Sequence, residues 1–358
     1  MPLKKKLIFI TRPIAPPWDE GSKNFALHLA EKIRLPNLIP HILTTKTTTK
    51  GLPKNVVKIP LFFSSRLTFT TKLRLFFFLI KTNADIVHFL FVATPITGIV
   101  LRFLLFFKRI KTVQTVSSVE GNSGFLLKLM IYGNRIVCLS KITAEKLGRA
   151  GLRNICIIPP GVDTERFKPS YKKSKIAFLG ELYRMDSYSI ISKLIPLLSY
   201  AFPDYSITLG FRFSNKLSQE LELREKLHKE IAGLKNIEWE NVIENMEDFL
   251  KDTKLVILPA RVMWGKFDYP LVLLEALSCA SLVLVSPVGS LSELTQYKGV
   301  LSPVENTADS FIEKVKEILS EKSYNNLSRL ARESALKHFS IEKVAKQYEE
   351  IYGELIKS

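Results

Sequence analysis

The chain has 358 residues, 46% of them hydrophobic, enough for two domains of ordinary size with two cores. Its formal charge of +18 at pH 7 leaves two readings: attraction to an anion (nucleic acid, an anionic membrane surface or a polyanionic substrate), or a Lys-rich composition without a specific partner. The three cysteines, Cys138, Cys156 and Cys279, have neither C-x-x-C spacing nor metal-like His neighbours, so they read as reduced core residues; no metal centre is expected, and the expected compartment is the cytoplasm.

Basic residues at Lys4 to Lys6 precede Leu7-Ile8-Phe9-Ile10, an apolar run too short for a secretory h-region, and a first buried strand is expected there. Thr11 to Gly21 reads as a Pro-rich loop, and Ser22 as the N-cap of a helix to Arg34 with Phe25, Leu29 and Ile33 on one face. No G-x-G-x-x-G occurs, which argues against a dinucleotide coenzyme. Thr44 to Lys50 reads as a loop, Lys72 to Lys81 as a helix with basic ends, Ala84 to Phe89 as a strand and Thr97 to Lys111 as an apolar helix. The span from Ile86 to Phe107 is long enough to cross a bilayer, but His88, Pro95, Gly98 and Arg102 interrupt it, and strand, turn and helix account for it better. These helices set Phe and Leu beside Lys and Arg. That suits either a peripheral membrane surface or core packing with a solvated basic rim.

Further strands are expected at Lys111 to Val116 and Asn134 to Ser140, with a helix from about Lys141. Ile155 to Ile158, the turn Gly161-Val162-Asp163 and Phe167-Lys168-Pro169 read as strand, turn and Pro-stopped linker, placing a domain boundary near Ser170. Beyond it come a strand at Lys175 to Gly180, a strand at Ile207 to Gly210, a charged, solvated helix at Ser218 to Ala232, and a strand at Leu255 to Pro259. Leu271 to Leu277 is apolar on nearly every side, a buried helix with Pro270 in its first turn; Leu282 to Ser286, closed by Pro287, is a buried parallel strand. Glu275 is the exception in that helix. A buried carboxylate needs a donor, from a neighbouring loop or Arg, or from a ligand hydroxyl. One turn earlier, the free N–H groups of Leu271 and Val272 offer a cradle for phosphate.

The stretch Pro270 to Leu294, PLVLLEALSCASLVLVSPVGSLSEL, resembles the donor-binding segment of the retaining GT-B glycosyltransferases, the glycosyl transferases group 1 (family 4) class. The Gly161-Val162-Asp163 and Phe167-x-Pro169 signature and the end Phe339 to Tyr348 are similar to that class too. The resemblance implies an α/β GT-B fold, two facing Rossmann-like doubly wound domains with a C-terminal helix crossing back. The domains implied are 1–169 on the acceptor side, 170–338 for the donor, and 339–358 packing on the first. It further implies transfer of a hexose from a nucleoside-diphosphate sugar to a glycan or lipid-linked acceptor, with no cofactor and no nucleic acid. Glu275 falls where the family holds the donor ribose, Leu271 and Val272 at the phosphate, Gly180 after the first strand of the donor domain, and Gly21 in the first loop. Departures are also visible. Phe267 stands for a Glu that contacts the transferred sugar, Glu181 and Asp186 stand for an Arg and a Lys that neutralise the diphosphate, and Ser117 or Ser118 for a His. Arg184 is the candidate replacement cation, with Arg212, Arg261 and Lys266 on loops at the same end. A catalytically weak or silent nucleotide- or glycan-binding member is the alternative.

Overall fold

The computed structural model describes residues 4–16, 18, 20–48, 52–66, 68–119, 121–211, 218–241, 243–263 and 267–357, with backbone only at 321 and 322. It divides into two compact units, Met1–Gly161 with Ile341–Ser358, and Val162–Ser340.

The first unit runs β1 (Lys5–Ile14), α1 (Gly21–Lys32), β2 (Leu38–Thr45), β3 (Val57–Phe62), α2 (Phe69–Lys81), β4 (Ile86–Phe89), α3 (Pro95–Lys108), β5 (Lys111–Val116), α4 (Gly124–Met130), β6 (Arg135–Cys138), α5 (Lys141–Arg149) and β7 (Ile155–Ile157). Its strands form one parallel sheet in the order β3-β2-β1-β4-β5-β6-β7. Strands covered on both faces are apolar throughout rather than alternating, and Leu7 to Ile10 and Ile86 to Phe89 are accordingly all buried.

Local chemistry moves several expected boundaries. Ser22 is not the N-cap of α1: the helix opens at Gly21 behind Glu20, and the Ser22 hydroxyl donates to Glu20 Oε1 at 3.0 Å. Glu20 is held in turn by Arg12 at 3.0 Å. Thr44 and Thr45 finish β2 rather than begin a loop, as buried β-branched residues favour a strand. α2 begins at Phe69 because Thr68 and Thr71 form a reciprocal capping box, and α3 begins at Pro95 behind the cap Thr94. No helix among the described residues is long and apolar enough to cross a membrane.

The last helix, α13 (Ile341–Lys357), is part of this unit. Its Tyr348 and Tyr352 are fully buried, and Tyr348 packs edge-on against Phe25 of α1 at 6.2 Å. His88 Nδ1 and the Tyr352 hydroxyl lie 2.7 Å apart, as do His88 Nε2 and the Thr115 hydroxyl, which also meets Tyr348 Oη at 2.9 Å. Burial pushes the His88 pKa down to about 3, so the ring is neutral, one nitrogen donating and the other accepting. It is a fastener between the sheet and α13.

The second unit runs β8 (Lys175–Gly180), α6 (Tyr188–Ala201), β9 (Ser206–Phe211), α7 (Ser218–Ile231), β10 (Ile237–Trp239), α8 (Met246–Asp252), β11 (Leu255–Leu258), α9 (Leu271–Ser278), β12 (Leu282–Val285), α10 (Gly289–Leu294), β13 (Val300–Leu301), α11 (Ala308–Ile318), α12 (Glu321–Ser334) and a π-helical turn, Ala335–Phe339. Its sheet is parallel in the order β10-β9-β8-β11-β12-β13.

The division between units falls at 161 and 162, earlier than the boundary expected near Ser170. Arg332 explains it: its guanidinium donates to the carbonyls of Phe167 at 2.8 Å and Thr164 at 3.0 Å, and the Ser278 hydroxyl donates to the same Phe167 carbonyl at 2.6 Å. Those bonds bind 164–167 to the second unit. Likewise 339 and 340 stay there, with Phe339 buried 4.7 Å from the Tyr297 ring.

Candidate functional site

In an open parallel sheet, loops leaving the carboxyl ends of the two strands where the order reverses splay apart and leave a crevice for a ligand. The second unit reverses between β8 and β11. Its crevice is therefore bounded by the loop from Gly180 and the loop leading to α9.

Gly180 has φ +148, a conformation L side chains avoid, and an added Cβ would meet Met185 Sδ at 3.1 Å. The loop then folds back, Asp186 turning it at φ +47, and the Met185 carbonyl accepts from the Arg261 N–H at 2.9 Å. Sequence reading missed the residue that locks it. Glu220, on a helix expected to be solvated, is 3% exposed and accepts from the N–H groups of Leu182 at 3.1 Å and Tyr183 at 2.8 Å. Two amides suited to an anion are thus already filled by a carboxylate of the chain. A Glu in the first turn of a charged helix carries no mark of that role.

Arg184 keeps company with the acid it was expected to offset. Its Nε lies 3.6 Å from Glu181 Oε2, the Glu181 side chain being 6% and that of Arg184 41% exposed. Arg261 is exposed on the neighbouring loop, while Arg212 and Lys266 lie outside the described residues. Trp239 is half-buried against Phe211 and His228, with the Arg224 guanidinium 5.1 Å from its ring centroid.

On the other side of the crevice, Pro270 is the residue before α9 rather than part of its first turn. Its N-cap, Pro270, makes no side-chain cap bond, and helix geometry leaves the N–H groups of Leu271 and Val272 without intrahelical acceptors. The approach is clasped to α10: the Tyr269 hydroxyl donates to Glu293 Oε1 at 2.6 Å, and the Ser290 hydroxyl to the Asp268 carbonyl at 2.7 Å. Phe267 is half-buried just upstream.

Glu275 lies one turn, about 5.4 Å along the axis, inside that open helix end. It is half-buried, and desolvation pushes its carboxyl up to about 7, with Arg166 pulling it back toward ionisation. Arg166 itself is held by Glu247 at 3.1 Å, and Glu247 by Lys251 at 2.7 Å. Among the described residues no side chain makes a hydrogen bond or ion pair to the Glu275 carboxylate. The structure thus brings Glu275, Leu271 and Val272 onto one helix and Gly180 and Arg184 onto the loop across the sheet reversal. Gly21 belongs to the first unit, opening α1 at that unit's own reversal between β1 and β4. Among the described residues no group of three or more His, Cys, Asp or Glu could hold a metal.

Two parallel, doubly wound units are the architecture of the GT-B class of α/β proteins. Comparison with known proteins agrees. Residues 173–321 match the family model described as glycosyl transferases group 1, and residues 21–166 match that of glycosyltransferase family 4. The chain belongs to the group 1 glycosyltransferases. Among solved structures it is similar to Anabaena HepE in complex with UDP and glucose (TM-score 0.73, 14% identity, covering 98% of this chain and 99% of that one). It is similar also to sucrose-phosphate synthase from Thermosynechococcus elongatus (TM-score 0.76, 16% identity, 99% of each chain). At those identities the likeness is one of fold. A stretch of 116 residues is 29% identical to N-acetyl-alpha-D-glucosaminyl L-malate synthase of Bacillus anthracis, covering 32% of this chain and 29% of that enzyme.

Proposed function

We propose that the chain transfers a hexose, with retention, from a nucleoside-diphosphate sugar to a glycan or lipid-linked acceptor. The reading is carried by Glu275: a carboxylate with no hydrogen-bond partner among the described side chains, set one turn inside a helix end whose N-cap, Pro270, makes no side-chain bond, at the sheet reversal. A ribose hydroxyl supplies the donor that Glu275 lacks, and the diphosphate rests on the Leu271 and Val272 amides, where the helix dipole stabilises the charge that grows on the leaving group. Gly180 lets the opposite loop turn close to the phosphates, and Arg184 swings from Glu181 to them. Neither a metal nor a nucleophilic side chain is required. HepE, a relative in fold, was solved with UDP-glucose, which makes a uridine donor the first to test. The assay is release of nucleoside diphosphate across a panel of UDP- and GDP-sugars. Turnover with one donor, lost in Glu275→Gln, is the expected result; folded protein that neither binds nor turns over any donor overturns it.

One observation favours a second reading. Glu181 ties up Arg184, and Glu220 fills the amides of the same loop, so diphosphate charge meets less compensation than a transferase needs. A nucleotide- or glycan-binding member without turnover would bind a donor in calorimetry yet release no diphosphate.

A further inference from the structure

We propose that the outer face of α2, α3 and α4 docks the protein on an anionic phospholipid bilayer. The inference concerns the first unit alone and does not depend on the donor site. Strands β3, β4, β5 and β6 succeed one another in one direction across the sheet, so right-handed crossovers set α2, α3 and α4 on the same side. Arg102 of α3 donates to the carbonyls of Lys128 and Ile131, at 2.6 and 2.7 Å, and Lys108 donates to that of Thr82 at 2.7 Å, clipping α3 to α4 and to the end of α2.

The inner sides of these helices are ordinary core: Leu79, Leu101, Leu105 and Leu127 are buried. The outer sides are apolar as well. Phe69 and Phe77 recur two turns apart on α2, Phe103, Phe106 and Phe107 follow at i, i+3 and i+4 on α3, and Phe125 stands in the first turn of α4. Phe69, Phe106 and Phe107 are 78%, 76% and 78% exposed, where a monomeric protein in water would carry polar residues.

Charge selects the occupant. The three helices contain Lys72, Arg74, Lys81, Arg102, Lys108 and Lys128 and no acidic residue at all. A second copy docking through this face would set the same cations against themselves, since a two-fold interface presents one patch to its own image. An anionic lipid surface meets both features: phenylalanines enter the acyl boundary while cations stay among the phosphates, each cation adding about fivefold to partitioning. No described helix spans a bilayer, so the contact is interfacial.

Flotation of the full-length chain with vesicles of phosphatidylglycerol and phosphatidylcholine tests this. The expected result is co-flotation at low salt, at least tenfold weaker with phosphatidylcholine alone. It should also be at least tenfold weaker for F106S/F107S and for K72E/K81E, with thermal melting and donor turnover in free solution unchanged in both. Equal binding to neutral vesicles overturns the proposal, as does flotation unaffected by the Phe pair. So does the absence of flotation, or a sedimenting dimer that the Phe pair abolishes, which would mark the face as a contact between copies. Loss of diphosphate release without loss of flotation would count against the transferase reading only.

Discussion

The charge of Arg166 reaches the Glu275 carboxylate and opposes the burial that pushes it up to about 7. The two residues are far apart in sequence, and the field acts from a guanidinium anchored to Glu247 of α8. Replacing Arg166 by Gln removes that field and moves the Glu275 pKa further up. If the ionised carboxylate holds the donor, nucleotide affinity at pH 7 falls and recovers above pH 8, whereas Arg166→Lys keeps the wild-type profile. Titration calorimetry with UDP at several pH values reads the midpoint; a profile that does not move separates Arg166 from the site.

Glu275→Gln pulls stability and binding in opposite directions. The folded carboxyl titrates near 7 and an unfolded one near 4.5, so between those values the folded state holds the extra proton and stability falls as pH rises. Gln abolishes that loss. The variant should match wild type at about pH 4, below the unfolded value, and exceed it at pH 8 by up to roughly 3 kcal/mol, measured by urea denaturation. Donor affinity should fall about 10- to 100-fold, as losing a hydrogen bond to a charged group costs about 1.5 to 3 kcal/mol. A carboxylate serving only to cap the protein would lose stability on the same change.

The sequence showed most where strands are uninterrupted. Lys111 to Val116 and Lys175 to Gly180 stand where their β-branched, apolar runs put them, and α9 and β12 follow from Leu271 to Val285. Several elements passed unread, α4, α11 and α12 among them, and three of those missed carry a proline: Pro40 in β2, Pro60 in β3 and Pro196 in α6. A residue without an N–H argues against regular structure, and packing on neighbours overrides it here. In the site, Glu275 was visible as a charge in an apolar helix. Arg166 and Glu220 were not, because each is defined by a partner that only the folded chain brings near.

Glu220 gives the sharpest stability prediction. Its carboxylate accepts from two N–H groups of the loop after β8, so Glu220→Ala leaves both without an acceptor, at about 1 to 3 kcal/mol each when buried. A loss of roughly 2 to 4 kcal/mol by urea denaturation is expected, with Glu220→Gln in between. Hydrogen exchange at Leu182 and Tyr183 should accelerate in step. A loss below about 0.5 kcal/mol would mean the loop holds its shape by other contacts.

His88 predicts how the first unit responds to acid. Its ring titrates near 3 in the fold against 6.5 in an unfolded chain, so below pH 6.5 the unfolded state takes up a proton that the folded state refuses. Its contribution is complete above pH 6.5 and declines as pH falls toward 3. Between pH 7 and 4.5 the loss should be roughly 2 to 3 kcal/mol. His88→Gln, which retains a donor and an acceptor but does not titrate, should lower stability at pH 7 and remove most of that acid slope. Tyr352→Phe should keep the slope and cost about 1 to 3 kcal/mol at pH 7, because it strips His88 Nδ1 of its partner on α13. Denaturant titrations of the three proteins at both pH values check this, and parallel slopes for wild type and His88→Gln would place the acid sensitivity elsewhere.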